Sequence, residues 1–319
     1  MAVPNSNVNQ LTAITNDFFI QGVKDLVHDQ NVFFQMLKKN ARYASGGAKI
    51  NQPILYQFTQ DGAYFDFEKG STAAEDQITR AEFNWKLYRQ RIVISEPEMD
   101  MNSGPEEVYD LLDAKTKGAG MAIRDALGTD LWTSTNGDST RGVNSIQNIL
   151  GNGTVPASNT VCGGIDKASY AFWQGNTNDV TGEVGLVGNM LESWFLAVDG
   201  TITPNLIVSH PDEIYQHQLE ATTSSAVNRS ENFTNTNQMT SGFTVFTFQG
   251  QPWVSDLHCP ADAIFMLNMD FFHLVTHKKR DFQLKPFVQP VDQDVNIAWV
   301  KWMGNITCSD PSRSVWEYE

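Results

Sequence analysis

The chain has 319 residues, 41% of them hydrophobic and 11% aromatic, so it can bury roughly 70–75% of its unfolded surface in one large core or two moderate ones. Its net charge of −15 argues against tight gripping of nucleic acid, because such affinity comes from Lys and Arg neutralising phosphates. No apolar run approaches the ~20 residues of a membrane helix, no basic-then-apolar secretory start is visible, and the scattered Cys162, Cys259 and Cys308 suit reduced thiols in a cytoplasm.

Residues 10–40 set Leu11, Ile14, Phe18, Val23, Leu26, Phe33, Phe34 and Leu37 at helical spacing, which predicts one or two short helices behind a polar arm. Ser45-Gly46-Gly47 breaks that pattern. Lys49 to Phe58 then alternates as a strand, a polar and aromatic tip follows, and the chain returns through Ile78 to Ser95. On the return, Phe83, Trp85 and Leu87 share one parity and Ile92 and Ile94 the other, predicting a bulge or sharp twist near Tyr88 to Arg91. The hairpin's arms, at ~3.3 Å per residue, would reach on the order of 50 Å. A two-stranded ribbon of that length has no core of its own and must lie on something else.

Asn102-Ser103-Gly104-Pro105-Glu106-Glu107 reads as a helix start, with a cap candidate, a proline in the first turn and acids facing the helix dipole. Apolar spacing from Val108 to Leu131 carries it to Trp132, about 27 residues or ~40 Å. Gly118 and Gly120 inside it predict something packed closely against that turn, since each costs up to ~1 kcal/mol relative to Ala. From Thr133 to Asp179 the chain is rich in Gly, Asn, Ser and Thr. Gly185 to Val198 and Pro211 to Ala221 read as helices, Asn205 to Ser209 as a buried strand, and Thr222 to Gly242 as a polar loop. Strands FTVFTF, PWVSDL, AIFMLN, FFHLV and VNIAWVKWMGNIT complete the chain. In the last, Trp299 shares parity with Val295 and Ile297 and is expected to be the buried tryptophan rather than Trp302.

Chemistry-bearing residues are sparse. Asp256, His258, Cys259 and Asp262 crowd one turn between two strands, but no C-x-x-C or H-x-x-x-H spacing accompanies them. No nucleophile elbow, Walker or dinucleotide motif occurs. Glu96 and Glu98, read as alternating along a strand beside Pro97, do not form a glycosidase pair. His277-Lys278-Lys279-Arg280 reads as a solvated turn or local ion-pair site. No catalytic residue, metal site or cofactor is expected.

The order of motifs resembles tailed-phage major capsid proteins of the Hong Kong 97-type fold. The likeness runs through Gly46-Gly47-Ala48-Lys49-Ile50-Asn51-Gln52-Pro53-Ile54-Leu55-Tyr56, the long extended loop, the acidic-started helix, Gly163-Gly164-Ile165 before Phe172-Trp173, Pro286-Phe287, and the closing Gly304-Asn305-Ile306-Thr307-Cys308-Ser309-Asp310-Pro311. The resemblance implies an α+β chain with an N-terminal arm and short helices (1–45), an extended β-hairpin loop (46–95), a peripheral domain with a spine helix and β-sheet (96–180 and 243–319) and an axial α/β domain (181–242). It implies a non-enzymatic shell of hexamers and pentamers, assembled in the host bacterial cytoplasm with portal and scaffolding proteins. Packaged double-stranded DNA would be contacted non-specifically, decoration proteins are possible partners, and no membrane is involved. Tyr64, Phe65, Phe67 and Lys69 in the loop tip are the expected intersubunit contacts. Lys69 lies where some relatives form crosslinks, but the local sequence does not match and no bond is expected. An encapsulin-like cellular compartment is the alternative.

Overall fold

A computed structural model describes residues 32–58, 75–101, 111–156, 159–181, 185–223, 246–291 and 293–319, with single positions 63, 66 and 69 between them. The arm before Val32, the helix start at 102–107 and the polar loop beyond Thr223 fall outside these residues.

One long strand, β14 (Val295–Cys308), organises a five-stranded sheet. β4 (Lys86–Ser95) lies antiparallel along one edge, in unbroken register from Ser95 opposite Val295 to Lys86 opposite Gly304. The other edge is shared end to end by β12 (Phe272–His277), which pairs with residues 304–308, and β13 (Gln283–Val288), which pairs with residues 297–301. The basic turn 277–280 therefore interrupts what is nearly a single edge line, and the Met303 amide donates to the Arg280 carbonyl at 2.9 Å. β1 (Arg42–Ala44) joins β12 in parallel, after the first described helix, α1 (Val32–Lys39). β13 admits Pro286 because the proline falls at a register shift between Lys285 and Val288, on a strand that among the described residues pairs with β14 alone.

The parity of β14 is the reverse of that expected. Ala298, Val300 and Trp302 are buried, Trp302 at 1% exposure, whereas Trp299 stays partly exposed. The inward set continues through Gly304, Ile306 and Cys308, while Trp299 shares its side with Lys301 and Met303. Gly304 is needed there: a Cβ would lie 2.6 Å from the Val275 carbonyl and 2.7 Å from the Trp302 ring. The expected bulge at Tyr88 to Arg91 is absent too, since Lys86, Ile92 and Ile94 share one buried face. The switch of sides lies at Asn84-Trp85, where the chain leaves β3 (Ile78–Phe83), which pairs with β2 (Ile50–Leu55), and enters the other sheet. A change of sheet re-aims side chains without an extra residue in a ladder.

Glu96 and Glu98 sit on a short helix, α2 (Glu96–Met101), rather than a strand. Ser95 Oγ accepts from the Glu98 amide, and the Glu98 carboxylate accepts from the Ser95 amide, both at 3.3 Å. This reciprocal cap was readable as Ser-x-x-Glu with proline in the first turn. α3 (Leu111–Trp132) then buries Ala119, Ile123, Leu127, Leu131 and Trp132 against Ile92, Ile94, Ala298 and Trp302 in the principal core. Among the described residues nothing lies within 4 Å of where a Cβ would stand on Gly118 or Gly120, so the expected close packing there is not made by them.

The second sheet has six strands in the order β7 (Asn176–Asp179), β15 (Val315–Tyr318), β11 (Ala263–Leu267), β8 (Leu206–Ser209), β10 (Gln251–Ser255) and β9 (Phe246–Phe248). Both faces are covered, which is why β8 and β11 read as unbroken apolar runs rather than alternating ones. Val208, Val254, Phe265 and Trp316 join the principal core, where Trp132 bridges Phe33 and Phe265 at 5.0 and 4.8 Å. Ile207, Trp253, Ile264, Met266 and Val315 form a second core under α5 (Leu186–Ala197) and α6 (Pro211–Thr223).

The polar stretch after α3 is built as carefully as either sheet. α4 (Ile146–Leu150) is wholly buried and capped by the Ser145 hydroxyl, which accepts from the Asn148 amide at 3.0 Å. Fully buried Lys167 donates to the carbonyls of Asn148 and Ile149 near its C-terminus, satisfying groups that helix ends leave open, and burial lowers its pKa.

Candidate assembly surface

The β2–β3 ribbon is packed along one face and bare along the other. Its ladder runs from Ile50 opposite Phe83 to Leu55 opposite Ile78. At the base, Ala81 and Phe83 are fully buried beneath a tight hairpin, β5 (Val161–Cys162) and β6 (Ile165–Asp166). Gly163 and Gly164 form its turn, with φ of 63° and 72°, the pair of left-handed positions that a two-residue hairpin requires. The Glu82 amide donates to the Gly163 carbonyl at 2.8 Å. A Cβ on Gly163 would stand 2.8 Å from that of Ala81, so glycine is demanded both by φ and by the ribbon beneath it.

The loop at 137–140 locks the place where the chain changes sheets. Lys86 Nζ donates to the carbonyls of Gly137, Asp138 and Thr140 at 2.8, 3.2 and 2.6 Å, and burial lowers its pKa. The Asp138 carboxylate accepts from the Gly164 amide at 2.8 Å. Tyr56 stacks on Phe172 at 4.8 Å. Between ribbon and hairpin lies a cleft of about 780 Å³, where Glu82 takes Lys49 at 2.7 Å and Arg80 at 2.8 Å. Lys49 above all holds the Glu82 carboxyl below its usual range.

Beyond the base the two faces of the ribbon differ: Ile54 is buried and Tyr56 packs on Phe172, whereas the opposite face is open. Leu55 and Ile78, directly opposite each other, are 55% and 70% exposed, and Phe58 is 77% exposed. Of the four expected contact residues, Lys69 is exposed; Tyr64, Phe65 and Phe67 lie outside the described residues. A second exposed apolar group missed at the sequence level comprises Phe195 and Leu196 on α5 and Tyr215 and Leu219 on α6. The signal was present in LVGNMLESWFLA, which carries more apolar positions than one buried helix face can use.

The Asp256 to Asp262 turn is an ion-pair bridge. Buried Asp256 accepts from the amides of Phe33 and His258, at 3.3 and 2.9 Å. The His258 ring lies between Asp125 of α3, 3.0 Å from Nε2, and Asp256, 3.4 Å from Nδ1. The second contact is an ionic approach outside hydrogen-bond geometry, as Nδ1 has no hydrogen-bond partner. Asp256 chiefly, then Asp125, lifts the His258 pKa to about 9 against the opposing effect of burial, so the ring is a cation that ties α3 to the six-stranded sheet. Among the described residues no group of three or more His, Cys, Asp or Glu is placed to hold a metal ion, and no helix is long and apolar enough to cross a membrane.

No family model matches the sequence, and neither does any curated protein. Solved structures do. The capsid asymmetric unit of cyanophage A-1(L) superposes with a TM-score of 0.65 at 14% identity, covering 94% of this chain and 95% of that one. A protein of Gordonia phage Cozz gives 0.60 at 12% identity over 97% and 93%. The SrpI encapsulin of Synechococcus elongatus gives 0.61 at 10% identity over 100% and 96%. Coverage of this kind on both sides means that the likeness extends over nearly the whole of each chain, and the chain therefore has the mixed helix-and-strand fold shared by phage capsid proteins and an encapsulin.

Proposed function

We propose that the chain is the major capsid protein of a tailed double-stranded DNA bacteriophage, forming hexamers and pentamers of an icosahedral shell. The observation that carries this reading is the near end-to-end likeness to phage capsid chains. The ribbon supports it, since Leu55, Phe58 and Ile78 are exposed in a single chain and monomers rarely keep such surface. In this reading 1–45 is the arm, 46–95 the extended loop, 96–180 with 243–319 the peripheral domain and 181–242 the axial domain. The six-stranded sheet joins the last two, because β8 is paired on both sides with strands from 243–319. The loop tip, with Tyr64, Phe65, Phe67 and Lys69, lies on a neighbouring subunit. The protein is a structural component of the virion with no catalytic task; portal, scaffolding and decoration proteins and packaged DNA are its further partners.

The encapsulin likeness supports a second reading, a cellular compartment. Electron microscopy of the protein expressed alone tests the shell: uniform shells, tubes or capsomers are expected, and a stable monomer would sink both readings. Shells recovered from the natural source separate the two, with nuclease-protected DNA for the phage reading and an enclosed enzyme for the other.

A further inference from the structure

In a chain of net charge −15, the outward face of the five-stranded sheet is basic. β4 exposes Leu87, Arg89, Arg91 and Val93 there. On β14 their register partners are Met303, Lys301, Trp299 and Ile297, and β13 sets Lys285 opposite Trp299. Directly paired residues of antiparallel strands share a face, so Arg89, Arg91, Lys285 and Lys301 surround Trp299, with the Arg89 guanidinium 5.1 Å from the centre of its ring. The turn before β13 adds Lys278, Lys279 and Arg280, which with Lys285, Leu87 and Met303 line a cleft of about 790 Å³. Among the described residues none of these seven cations makes a salt bridge. The nearby Asp281 is engaged elsewhere, by Tyr43 at 3.4 Å and Lys38 at 4.0 Å.

Unpaired cations interleaved with exposed apolar groups call for a partner that is both acidic and apolar. Nucleic acid phosphates would answer the charge and leave Trp299, Leu87 and Val93 uncovered. Residues 59–77 of this chain answer both: Asp61, Asp66, Glu68, Glu75 and Asp76 stand against Lys69 alone, among Tyr64, Phe65 and Phe67. The open face of the ribbon, at Leu55 and Ile78, and Phe58 just before this segment are left uncovered by their own subunit. We propose that the basic face around Trp299 is the docking surface for residues 59–77 of a second copy of this chain, the acids pairing with Arg91, Lys301 and the basic turn, and the aromatics covering Trp299 and Leu87. This rests on the shell reading and adds to it where the loop is received and by what charge complementarity.

Charge reversal tests it. Arg91→Glu with Lys301→Glu reverses the face, Asp66→Lys with Glu68→Lys reverses the tip, and all four together restore the opposition of sign. Like charges brought face to face at an interface oppose docking, so each pair alone is expected to lower shell yield by about tenfold or more in sedimentation velocity. The four-residue variant is expected to return to within about threefold of the unmodified protein, since the changes are coupled and not additive. Circular dichroism confirms folding, which substitutions on an exposed face leave intact. A four-residue variant no better than either pair overturns the proposal. So does a face pair that assembles normally and instead loses binding to a duplex DNA probe, which would give the surface to nucleic acid. Failure of the unmodified protein to assemble at all is a failure of the shell reading. Docking is then read from a fluorescein-labelled peptide of residues 59–77 on the full-length protein: binding lost in the face pair supports it, and equal or no binding to both proteins overturns it.

Discussion

His258 carries its charge because two carboxylates face it, and this makes its contribution to stability depend on pH. Its folded pKa, about 9, lies above the value near 6.5 of a free imidazole. The stabilisation is therefore complete below pH ~6.5 and is lost as pH rises through ~9. Replacing it by Gln leaves buried Asp256 short of a partner, so His258→Gln is expected to lower unfolding free energy by about 1–3 kcal/mol at pH 6. The gap from the unmodified protein should close above pH 9 in chemical denaturation, and a gap constant from pH 6 to 10 would remove the ion pair from the account. The two tryptophans of β14 make a matched comparison at the same scale. Trp302 is enclosed, edge-on to Tyr88 at 5.6 Å, and Trp302→Ala is expected to cost about 3–5 kcal/mol. Trp299→Ala forfeits mainly its contact with Arg89, about 1 kcal/mol. Equal losses would show that both rings are core.

At the scale of elements, the contact of α6 and β15 holds a carboxylate problem. Glu213 of α6, Glu317 of β15, Asp262 and Glu319 line one cleft of about 310 Å³. Glu317 is 2% exposed and accepts a hydrogen bond from Ser193 at 2.6 Å. Burial first, and neighbouring acids after it, raise the pKa of both Glu213 and Glu317 to about 7. A carboxyl raised from near 4.5 binds its proton more tightly folded than unfolded, so stability falls as pH climbs from ~4.5 through ~7. Glu317→Gln removes the ionisation and is expected to raise the melting temperature by about 2–4 °C at pH 8 and to leave it unchanged at pH 4; the reverse order would refute the desolvation argument. Legibility differed among elements for related reasons. β8, β11 and α3 were readable because burial imposes apolar residues on them. β7, Asn176–Asp179, has no apolar residue and is a strand because β15 offers it an edge. Even β14 was located correctly and turned over, because Trp and Lys alternate on its outer side.

For the whole molecule, the ribbon separates a subunit that folds alone from one that assembles. Its base is fastened by the Gly163 hairpin and Lys86 and one face by Phe172, while Leu55, Phe58 and Ile78 stay exposed. Replacing Thr59 to Gln77 with an Asn-Gly turn should leave circular dichroism and melting nearly unchanged while abolishing shells, leaving free subunits or loose capsomers in sedimentation velocity. Normal shells would remove the intersubunit role, and a protein that unfolds would assign the tip to its own core.

The sequence by itself determined the long helix ending at Trp132, the pairing of 50–55 with 78–83 at the heart of the expected hairpin and the run of buried strands, because each follows from local periodicity or the composition that a core demands; the rest of the expected return arm, 86–95, pairs with β14 instead. It also carried the order of motifs on which the capsid resemblance rests. Which sheet each strand enters, which side of β14 faces inward and which surfaces are left bare were decided only in three dimensions. The return run 78–95 splits between two sheets because Phe83 is held under Gly163 and Lys86 under three loop carbonyls, contacts spanning some fifty residues or more that no local pattern records. The basic face has the same origin: Arg91, Lys285 and Lys301 are far apart in the chain and become neighbours through strand register alone.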